Sequence, residues 1–462
     1  MTVGSSALRD QTRGFRGHAC GEGVPDAKSS CVVQGLALAA AVALTAGCLV
    51  QPEDARTGND NTSSTLEIML GFTGDQFNAF REAVDPYAKS QGIKINWAPT
   101  SNFNQLINTR VQGRNLPDIA LFPQPGVLRG LAQRNTLTPL DDILDLPTLK
   151  TSMTAGTLDA GTVDGKLYGL LVSMNVKSLV FYPKKAFAEA GYAEPKSLPE
   201  LLDLTNRIRS SGKTPWCLGI ESGAATGWPA TDWIEDTILH QQGVDKYNQW
   251  VNHQIRFDSP EVRQAATLFQ QIAFTDGNVV GGRKSIASNN YNTAANPMFK
   301  SPPGCYFYKQ GNFVAAKGGF PDAVLADIDN QVGVFGYPPA TAGGDNPVLG
   351  GGDLAALFSR NNTYAKNLLK FMSSKDFGGS DAKQGNYISP HKDFDQSNYP
   401  NDVVKKIANI AYGSTAFAFD GSDQMPGAVG SGSFWKDMTA WISGQQNLNQ
   451  ALKGIDESWP AS

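Results

Sequence analysis

From residue 65 onward, the hydrophobic positions of the chain follow two periods in turn. LEIMLGF (66–72) alternates apolar with other residues, as a half-buried strand does, and the QFNAFREAVDPYAKSQG after it has apolar residues at helical spacing. The next segments repeat this order of strand and helix: IKINWAP, NFNQLINTRVQG, LPDIALFP and GVLRGLAQRN. Strands that alternate with amphipathic helices indicate an α/β fold with a largely parallel sheet.

The alternation continues to the end of the sequence. Pro199 opens a helix that stops at Gly212, TPWCLGI predicts a buried strand, and Asp232 is placed as the N-cap of a helix over DWIEDTILHQQG. Further strands are predicted in KLYGLLVSMNVKSLVFYP, DNQVGVFGYPP and VLGGGDLAALFS, and further helices in SPEVRQAATLFQQIAF, NTYAKNLLKFMSS, GSFWKDMTAWISG and LNQALKGIDESW. No internal repeat is present in the sequence.

The N-terminal region carries an export signal. Residues 32–47, VVQGLALAAAVALTAG, form an apolar run of signal-peptide length that is too short to span a bilayer comfortably. Its small residues stop directly before Cys48, which resembles the lipobox of bacterial lipoproteins, whose cysteine is lipidated. We expect a signal peptide over 1–47, with a true start downstream of Met1, a lipid anchor on Cys48 and a flexible tether over 48–64. A simple cleaved signal with an incidental cysteine is the alternative.

Composition and motifs exclude several classes of function. The formal charge of −4 is not that of a phosphate-backbone binder, and a hydrophobic fraction of 41% describes a globular protein. No cysteine or histidine cluster has metal-ligand spacing, and the phosphate-loop tail SGKT (211–214) lacks its first glycine. We therefore expect no cofactor, no metal, no nucleic acid and no enzyme activity. A pair of carboxylates across a sugar, as in a glycosidase, stays open as the alternative.

The cysteines of the body lie far apart in the sequence. Three of the five cysteines are in the first 48 residues, and the remaining two are Cys217 and Cys305. Disulfides persist in exported proteins, so a bridge between these two is expected, and two separately buried thiols are the alternative.

Five segments are informative through their order and spacing: PDIALFPQPGVLRGLAQRNTLTPLDD, DGKLYGLLVSMNVKSLVFYPKKAF, PPGCYFYKQGNF, PVLGGGDLAALFSR and MPGAVGSGSFWKDM. Together they resemble the bacterial extracellular solute-binding protein family 1, the sugar-binding proteins of ABC importers, over nearly all of residues 65–460. TPWCLGIESGAATGWPATDWIED and GNYISPHKDFD resemble the alpha-glucoside-binding branch, and that likeness also pairs Cys217 with Cys305.

The resemblance implies an α/β fold of two lobes, of the type II, maltose-binding-protein-like kind, with a ligand cleft between the lobes. Hinge crossovers are expected near residues 174–177, 348–352 and 380–386. The N-terminal lobe then consists of 65–175 and 350–384. The C-terminal lobe consists of 176–349 and 385–462.

A sugar-binding cleft needs aromatic rings for the apolar faces of the sugar and polar groups for its hydroxyls. In ESGAATGWPATDW (221–233) the small residues leave room for a ligand, so we expect Trp228 to face it and Trp233 to pack inward. The ligand residues that the family pattern implies are Thr73, Gly74, Asp75, Gln124, Gly126, Asn175, Trp228, Tyr306, Gly352, Asp353, Asp423 and Trp435.

The implied function is the substrate-binding subunit of an ABC sugar importer. Such a subunit captures an alpha-glucoside or related oligosaccharide outside the cytoplasm, as a monomer, and delivers it unchanged to membrane permease subunits. The alternatives are an extracellular carbohydrate-active enzyme and a sugar-sensing binding protein for a membrane receptor.

Overall fold

The computed structural model describes residues 61–460. The predicted signal peptide, the lipidation site at Cys48 and most of the predicted tether lie outside these residues. Within the last part of that tether, the Asn61 side chain donates a hydrogen bond to Asp118 Oδ2 at 2.8 Å. Asp118 precedes the third strand, so the chain is already fastened to the folded body at residue 61.

The larger sheet has six strands and is mixed. Its order is β11, β10, β3, β1 and β2, with β6 also paired to β10. β1 runs parallel to β2 and β3, whereas β10 runs antiparallel to β3 and β6. Its strands are β1 (Thr65–Leu70), β2 (Lys94–Pro99), β3 (Ile119–Phe122), β6 (Gly169–Val176), β10 (Val348–Leu357) and β11 (Phe417–Phe419). Every residue of β3 and β10 is buried, as in strands that are covered on both faces.

A second sheet, which we call the smaller sheet, has three antiparallel strands in the order β8, β7, β9. The chain leaves the larger sheet at the end of β6 and enters the smaller one at β7 after only Lys177 and Ser178. The strands outside the larger sheet are β4 (Thr162–Val163), β5 (Lys166–Leu167), β7 (Leu179–Pro183), β8 (Tyr308–Lys309) and β9 (Val332–Gly336). β4 and β5 form a separate two-stranded antiparallel sheet.

Helices cover both sheets. In chain order they are α1 (Gly74–Ser90), α2 (Phe103–Gln112), α3 (Pro125–Gln133), α4 (Leu146–Ser152), α5 (Lys184–Glu189), α6 (Leu198–Ser210), α7 (Trp228–Gln242), α8 (Val244–Val251), α9 (Pro260–Ala273), α10 (Arg283–Ile286), α11 (Asp322–Leu325), α12 (Ile328–Gln331), α13 (Thr363–Met372), α14 (Gly379–Ala382), α15 (Asp402–Tyr412), α16 (Gly421–Gln424), α17 (Trp435–Ser443) and α18 (Leu448–Glu457). None of the helices among the described residues combines the length and apolar character that a membrane span requires.

The predicted α/β class and two-lobed fold are confirmed, but the prediction of a largely parallel sheet is wrong. Among the described strands, β1 with β2, β1 with β3 and β10 with β11 pair in parallel, and the other pairs are antiparallel. Two local predictions are also wrong. Helix α7 begins at Trp228 behind Gly227, whose φ of 114° suits glycine, so Asp232 lies inside the helix and is not its N-cap. TPWCLGI is buried but is not a strand. Trp216 instead forms isolated bridges to Val279 and Phe307.

Within residues 61–460, the buried apolar side chains form two clusters. One surrounds the larger sheet, and the other surrounds α7 and includes Trp233, which is 3% exposed and packs against Trp216 as expected. β11 comes from a segment that was assigned to the C-terminal lobe, yet it pairs with β10 in the larger sheet. The sequence boundaries of the lobes stay a prediction.

Candidate functional site

A cavity of about 490 Å³ brings three of the predicted ligand residues together. Gln124 lies between β3 and α3, where side chains at the end of a strand face outward from the sheet. Its Nε2 donates a hydrogen bond to Asp423 Oδ1 at 3.0 Å, and its Oε1 accepts one from Asn104. Two amides and a carboxylate thus line one end of the cavity, and they can donate to and accept from hydroxyl groups.

Gly126 lines the same cavity, but its backbone position explains why glycine is present. A Cβ atom there would lie 3.3 Å from the carbonyl oxygen of Gln424 and 3.5 Å from that of Asp423. Glycine therefore allows α3 to approach the Asp423 loop closely. This packing explains the glycine without any contact to a ligand.

Lys177, in the crossover from β6 to β7, lies beside this polar end. Its Nζ atom is 2.5 Å from Asp420 Oδ2 and 3.0 Å from Asp232 Oδ1, and its side chain is only 11% exposed. Burial favours the neutral amine, but the two carboxylates outweigh burial and raise the pKa of Lys177 well above its usual value. The lysine is therefore charged at neutral pH.

The carboxylates of this group respond differently to their surroundings. Burial raises the pKa of Asp232, and burial with the nearby Asp420 charge raises the pKa of Asp423 to about 7. Burial also acts against ionised Asp420, but the Lys177 ammonium outweighs it and lowers the pKa of Asp420 to about 2. Ligand oxygens of Asp232, Glu235 and Asp420 lie within 4.8 Å of one another, an arrangement seen in metal sites. Here the Lys177 ammonium supplies the positive charge.

Glu235, on α7, holds the loop that carries the aspartates. It is fully buried and accepts hydrogen bonds from the backbone N–H of Gly421 at 2.6 Å and of Ser422 at 3.3 Å. Ser422 Oγ in turn donates to Asp420 at 2.7 Å. The positions of Asp420 and Asp423 are thereby fixed against α7.

The next residue of α7, Asp236, makes a second set of contacts to the same region. Asp236 accepts a hydrogen bond from Ser178 Oγ at 2.6 Å and forms an ion pair with Lys309 at 2.8 Å. Ser178 Oγ also accepts from the N–H of Leu349, at the start of β10. Helix α7 therefore binds the crossover between the sheets and the first residues of β10.

An aromatic wall adjoins Lys177. The Trp228 ring packs edge-on against Tyr291 at 4.9 Å and Phe313 at 5.9 Å between centroids, and its Nε1 donates to Ser222 Oγ at 3.1 Å. Lys177 Nζ lies 5.1 Å from the centre of the Trp228 ring. We call Trp228, Tyr291 and Phe313 the aromatic wall. All three rings are half-buried.

Trp435 begins α17, which follows a π-helical turn over Val429–Phe434. Gly227 packs on the Trp435 backbone, so the starts of α7 and α17 touch and Trp435 lies near Trp228. The Trp435 side chain is half-buried, and its Nε1 is buried without a hydrogen-bond partner among the described residues. A buried donor without a partner is costly, so an entering acceptor would be stabilised there.

Asn175, Gly352 and Asp353 lie where β6 and β10 pair. Asn175 is half-buried and opposite Gly351, and the backbone of Gly352, with φ of 146°, approaches the Ser173 carbonyl too closely for a Cβ atom. Asp353 is 7% exposed and accepts a hydrogen bond from Ser173 Oγ at 3.3 Å. Burial raises its pKa to about 7, and burial plus the Asp353 charge does the same to Asp381.

This buried acid makes the protein less stable as the pH rises. The unfolded aspartate has a pKa near 3.8 and the folded one near 7, so the folded state binds more protons between these values. The free energy of unfolding therefore falls between pH 4 and 7 by up to about 1.4 kcal/mol per pH unit for Asp353. We expect Asp353→Asn to reduce that slope in urea unfolding measured from pH 4 to 8. An unchanged slope would contradict the buried-acid assignment.

Thr73, Gly74 and Asp75 are exposed at the start of α1. Asp75 forms an ion pair with Lys317 at 2.8 Å, four residues beyond Phe313 of the aromatic wall. Both side chains are more than 70% exposed, so this contact contributes little to stability.

Tyr306 does not join the cavity. It is 3% exposed, belongs to the cluster around α7 and packs edge-on against Tyr192 at 5.5 Å. The neighbouring Cys305 forms a disulfide with Cys217, and their Cα atoms are 5.5 Å apart. Tyr306 is thus a core ring beside the disulfide, because the chain turns inward at Cys305.

Sequence reasoning missed several residues of this site: Asn104, Lys177, Glu235, Tyr291, Phe313 and Asp420. Lys177 follows Asn175 by two positions in a segment that was recognised as a crossover, and a charged residue between two apolar strands was an available signal. Tyr291 lies in a turn and Phe313 in a single 3-10 turn over Asn312–Ala315, and both are too short for a periodic pattern that would distinguish them.

Comparison with known proteins finds relatives over most of the chain. Residues 82–411 match the family model of the bacterial extracellular solute-binding proteins. The chain is 36% identical to the osmoprotective compounds-binding protein GgtB of Synechocystis sp., covering 87% of this chain and 94% of the relative. It is 33% identical to the alpha-glucosides-binding periplasmic protein AglE of Rhizobium meliloti, covering 88% and 89%.

Solved structures share the fold. The bacterial solute receptor AcbH superposes with a TM-score of 0.73 at 17% identity, covering 85% of this chain and 98% of that one. The sugar-binding protein MalE of Xanthomonas citri superposes with a TM-score of 0.67 at 16% identity, covering 85% and 95%. The chain belongs to the family of bacterial extracellular solute-binding proteins.

Proposed function

We propose that the protein is the substrate-binding subunit of an ABC sugar importer and that it captures an alpha-glucoside or related small oligosaccharide. The observation that carries the proposal is the hydrogen-bonded Gln124–Asp423 pair, which lines a cavity. Lys177 connects the loop that carries Asp423 to the aromatic wall. The alpha-glucosides-binding relative supports the ligand class.

The polar end of the site suits the hydroxyl groups of a sugar. Hydroxyl groups need partners that both donate and accept, and the Asn104 and Gln124 amides with the Asp423 carboxylate offer both. The Oδ1 atom of Asn104 is buried without a partner among the described residues, so it is ready to accept from a ligand. Ring C–H faces need flat apolar surfaces, and we assign that role to Trp228 and Trp435.

We propose that the ligand leaves unchanged, because the acids of the site are already engaged. Asp420 is bound to Lys177 and Ser422, and Asp423 accepts from Gln124. A glycosidase needs one carboxyl group as an acid and another as a nucleophile or base on opposite sides of the bond. Incubation with maltose, sucrose and trehalose followed by chromatography is the test. Recovery of intact sugar is expected, and released glucose would favour the enzyme alternative.

The lobe boundaries predicted from the sequence, a monomeric state and delivery to membrane permease subunits belong to the same proposal. In it, a lipid on Cys48 keeps the protein at the outer face of the cell membrane. We expect Cys48→Ser to move the protein from the membrane fraction to the soluble fraction, as measured by immunoblotting of fractionated cells. Retention of the variant in the membrane fraction would contradict the anchor.

We expect Trp435→Ala to weaken binding of the preferred sugar by about 1–3 kcal/mol. The reason is loss of both a stacking face and the Nε1 donor, which has no protein partner among the described residues. Calorimetric titration measures the change. Trp459→Ala is the matched control, because Trp459 is also half-buried but stacks on His253 at 4.2 Å, in the turn after α8. Equal affinity of the Trp435 variant and the wild type would remove Trp435 from the site.

A further inference from the structure

The cavity that begins at Gln124 and Asp423 continues along α3. Its far part is lined by Arg129, Gly130 and Gln133 on the helix, by Gly427 in the facing loop and by Ser431 in the π-helical turn. Arg129 is four residues beyond Pro125, the first residue of α3, which places it roughly 6 Å farther along the helix axis. The near end offers hydroxyl partners, and the far end offers a cation.

Arg129 has no direct counter-ion among residues 61–460. Its side chain is half-buried, no ion pair within 4.0 Å involves it, and no protein acceptor takes a hydrogen bond from it in this part of the chain. Burial lowers the pKa of its guanidinium. Asp164, in the turn between β4 and β5, raises that pKa through a charge interaction at longer range. A guanidinium that is partly stripped of water and unpaired favours an anion.

A second cation lies next to the same helix face. Arg134 folds back so that its Nη1 atom is 3.6 Å from the position that a Cβ atom on Gly130 would take. Gly126 and Gly130 are one turn apart on this face of α3, and neither has a side chain that would fill the cavity. A ligand group can therefore extend from the Asp423 end toward the arginines.

We infer that the cavity has a second subsite, centred on Arg129, for a carboxylate or other anionic group carried by a glycoside. The sugar ring lies at the Gln124 and Asp423 end, and the anionic group lies beside the guanidinium. The distance along α3 separates the anion from Asp420 and Asp423, so like charges do not meet. This inference rests on the proposed function, because it assumes that a glycoside occupies the cavity.

Maltitol and maltobionate form a matched pair of probes, because they differ only in a terminal CH₂OH against a carboxylate. In calorimetric titrations of the whole chain at pH 7.5 and low salt, we expect maltobionate to bind at least about ten-fold more tightly than maltitol. Arg129→Gln should bring the two affinities within about two-fold, and Arg129→Lys should retain part of the preference. Arg81→Gln is the control, since Arg81 pairs with Asp85 at 3.2 Å on the exposed face of α1.

Equal binding of the two probes by the wild type would overturn the subsite and leave the proposed function standing. A preference for maltobionate that survives in an Arg129→Gln variant of unchanged melting temperature would have the same consequence. Failure of both probes, in a protein that binds maltose or trehalose, would also overturn the subsite alone. Failure of every glycoside to bind would overturn both the subsite and the proposed function.

Discussion

Replacing Lys177 with methionine is expected to destabilise the protein by about 3–5 kcal/mol. Methionine preserves much of the length of the side chain but removes the ammonium that faces Asp232 and Asp420. Asp420 and Asp232 are 2% and 4% exposed, so water cannot replace the lost partner. Asp232 and Asp420 would then share a buried site without their paired cation, because the nearby Lys309 is held by Asp236. One of the two acids must then take up a proton.

Urea unfolding at pH 8 measures this effect, and Lys246→Met is the matched control. Lys246 forms an ion pair with Glu261 at 2.9 Å on the surface, so its loss should cost no more than about 1 kcal/mol. A second control adds Asp420→Asn to Lys177→Met, which should recover part of the loss because it removes one unpaired charge. A cost below about 1 kcal/mol for Lys177→Met would show that the acids do not depend on the lysine.

Removing the disulfide is expected to cost a similar amount. Cys217 and Cys305 are 88 residues apart in the sequence, and constraining a loop of that length in the unfolded chain stabilises the folded state by about 4–5 kcal/mol. Both cysteines are fully buried, so the double variant Cys217→Ala with Cys305→Ala also loses some packing.

Thermal unfolding with and without a reducing agent separates the two contributions. The wild type should unfold at a lower temperature when it is reduced, whereas the double alanine variant should not respond to the reducing agent at all. If reduction leaves the melting temperature of the wild type unchanged, the bridge does not hold the loop together in solution.

The periodic parts of this fold could be predicted from the sequence. Alternation in LEIMLGF gave β1, and the apolar stripe of NTYAKNLLKFMSS gave α13, because both patterns report burial on one side. Two local predictions, the N-cap at Asp232 and the strand over TPWCLGI, failed because tertiary contacts decide the structure there. Asp232 has the residue type of an N-cap, but its carboxylate is needed by Lys177, and α7 starts four residues earlier.

The candidate site was only partly accessible to sequence reasoning. Gln124, Asp423 and Trp228 follow recognisable segments, and the structure places the first two in direct contact. The contacts that organise the site join residues hundreds of positions apart, as in the ion pair of Lys177 with Asp420. A one-dimensional pattern contains no information on such pairs, and for the same reason Tyr306 could be assigned to the ligand although it lies in a core.

The central claim is that the cavity between Gln124 and Asp423 receives a sugar. Calorimetric titration of the wild type and of Asp423→Ala with a panel of mono-, di- and trisaccharides tests it most directly. We expect saturable heat from at least one alpha-glucoside, with one sugar bound per chain, and a loss of about ten-fold or more in affinity in the variant. No heat from any saccharide, or equal affinity of the two proteins, would contradict the account.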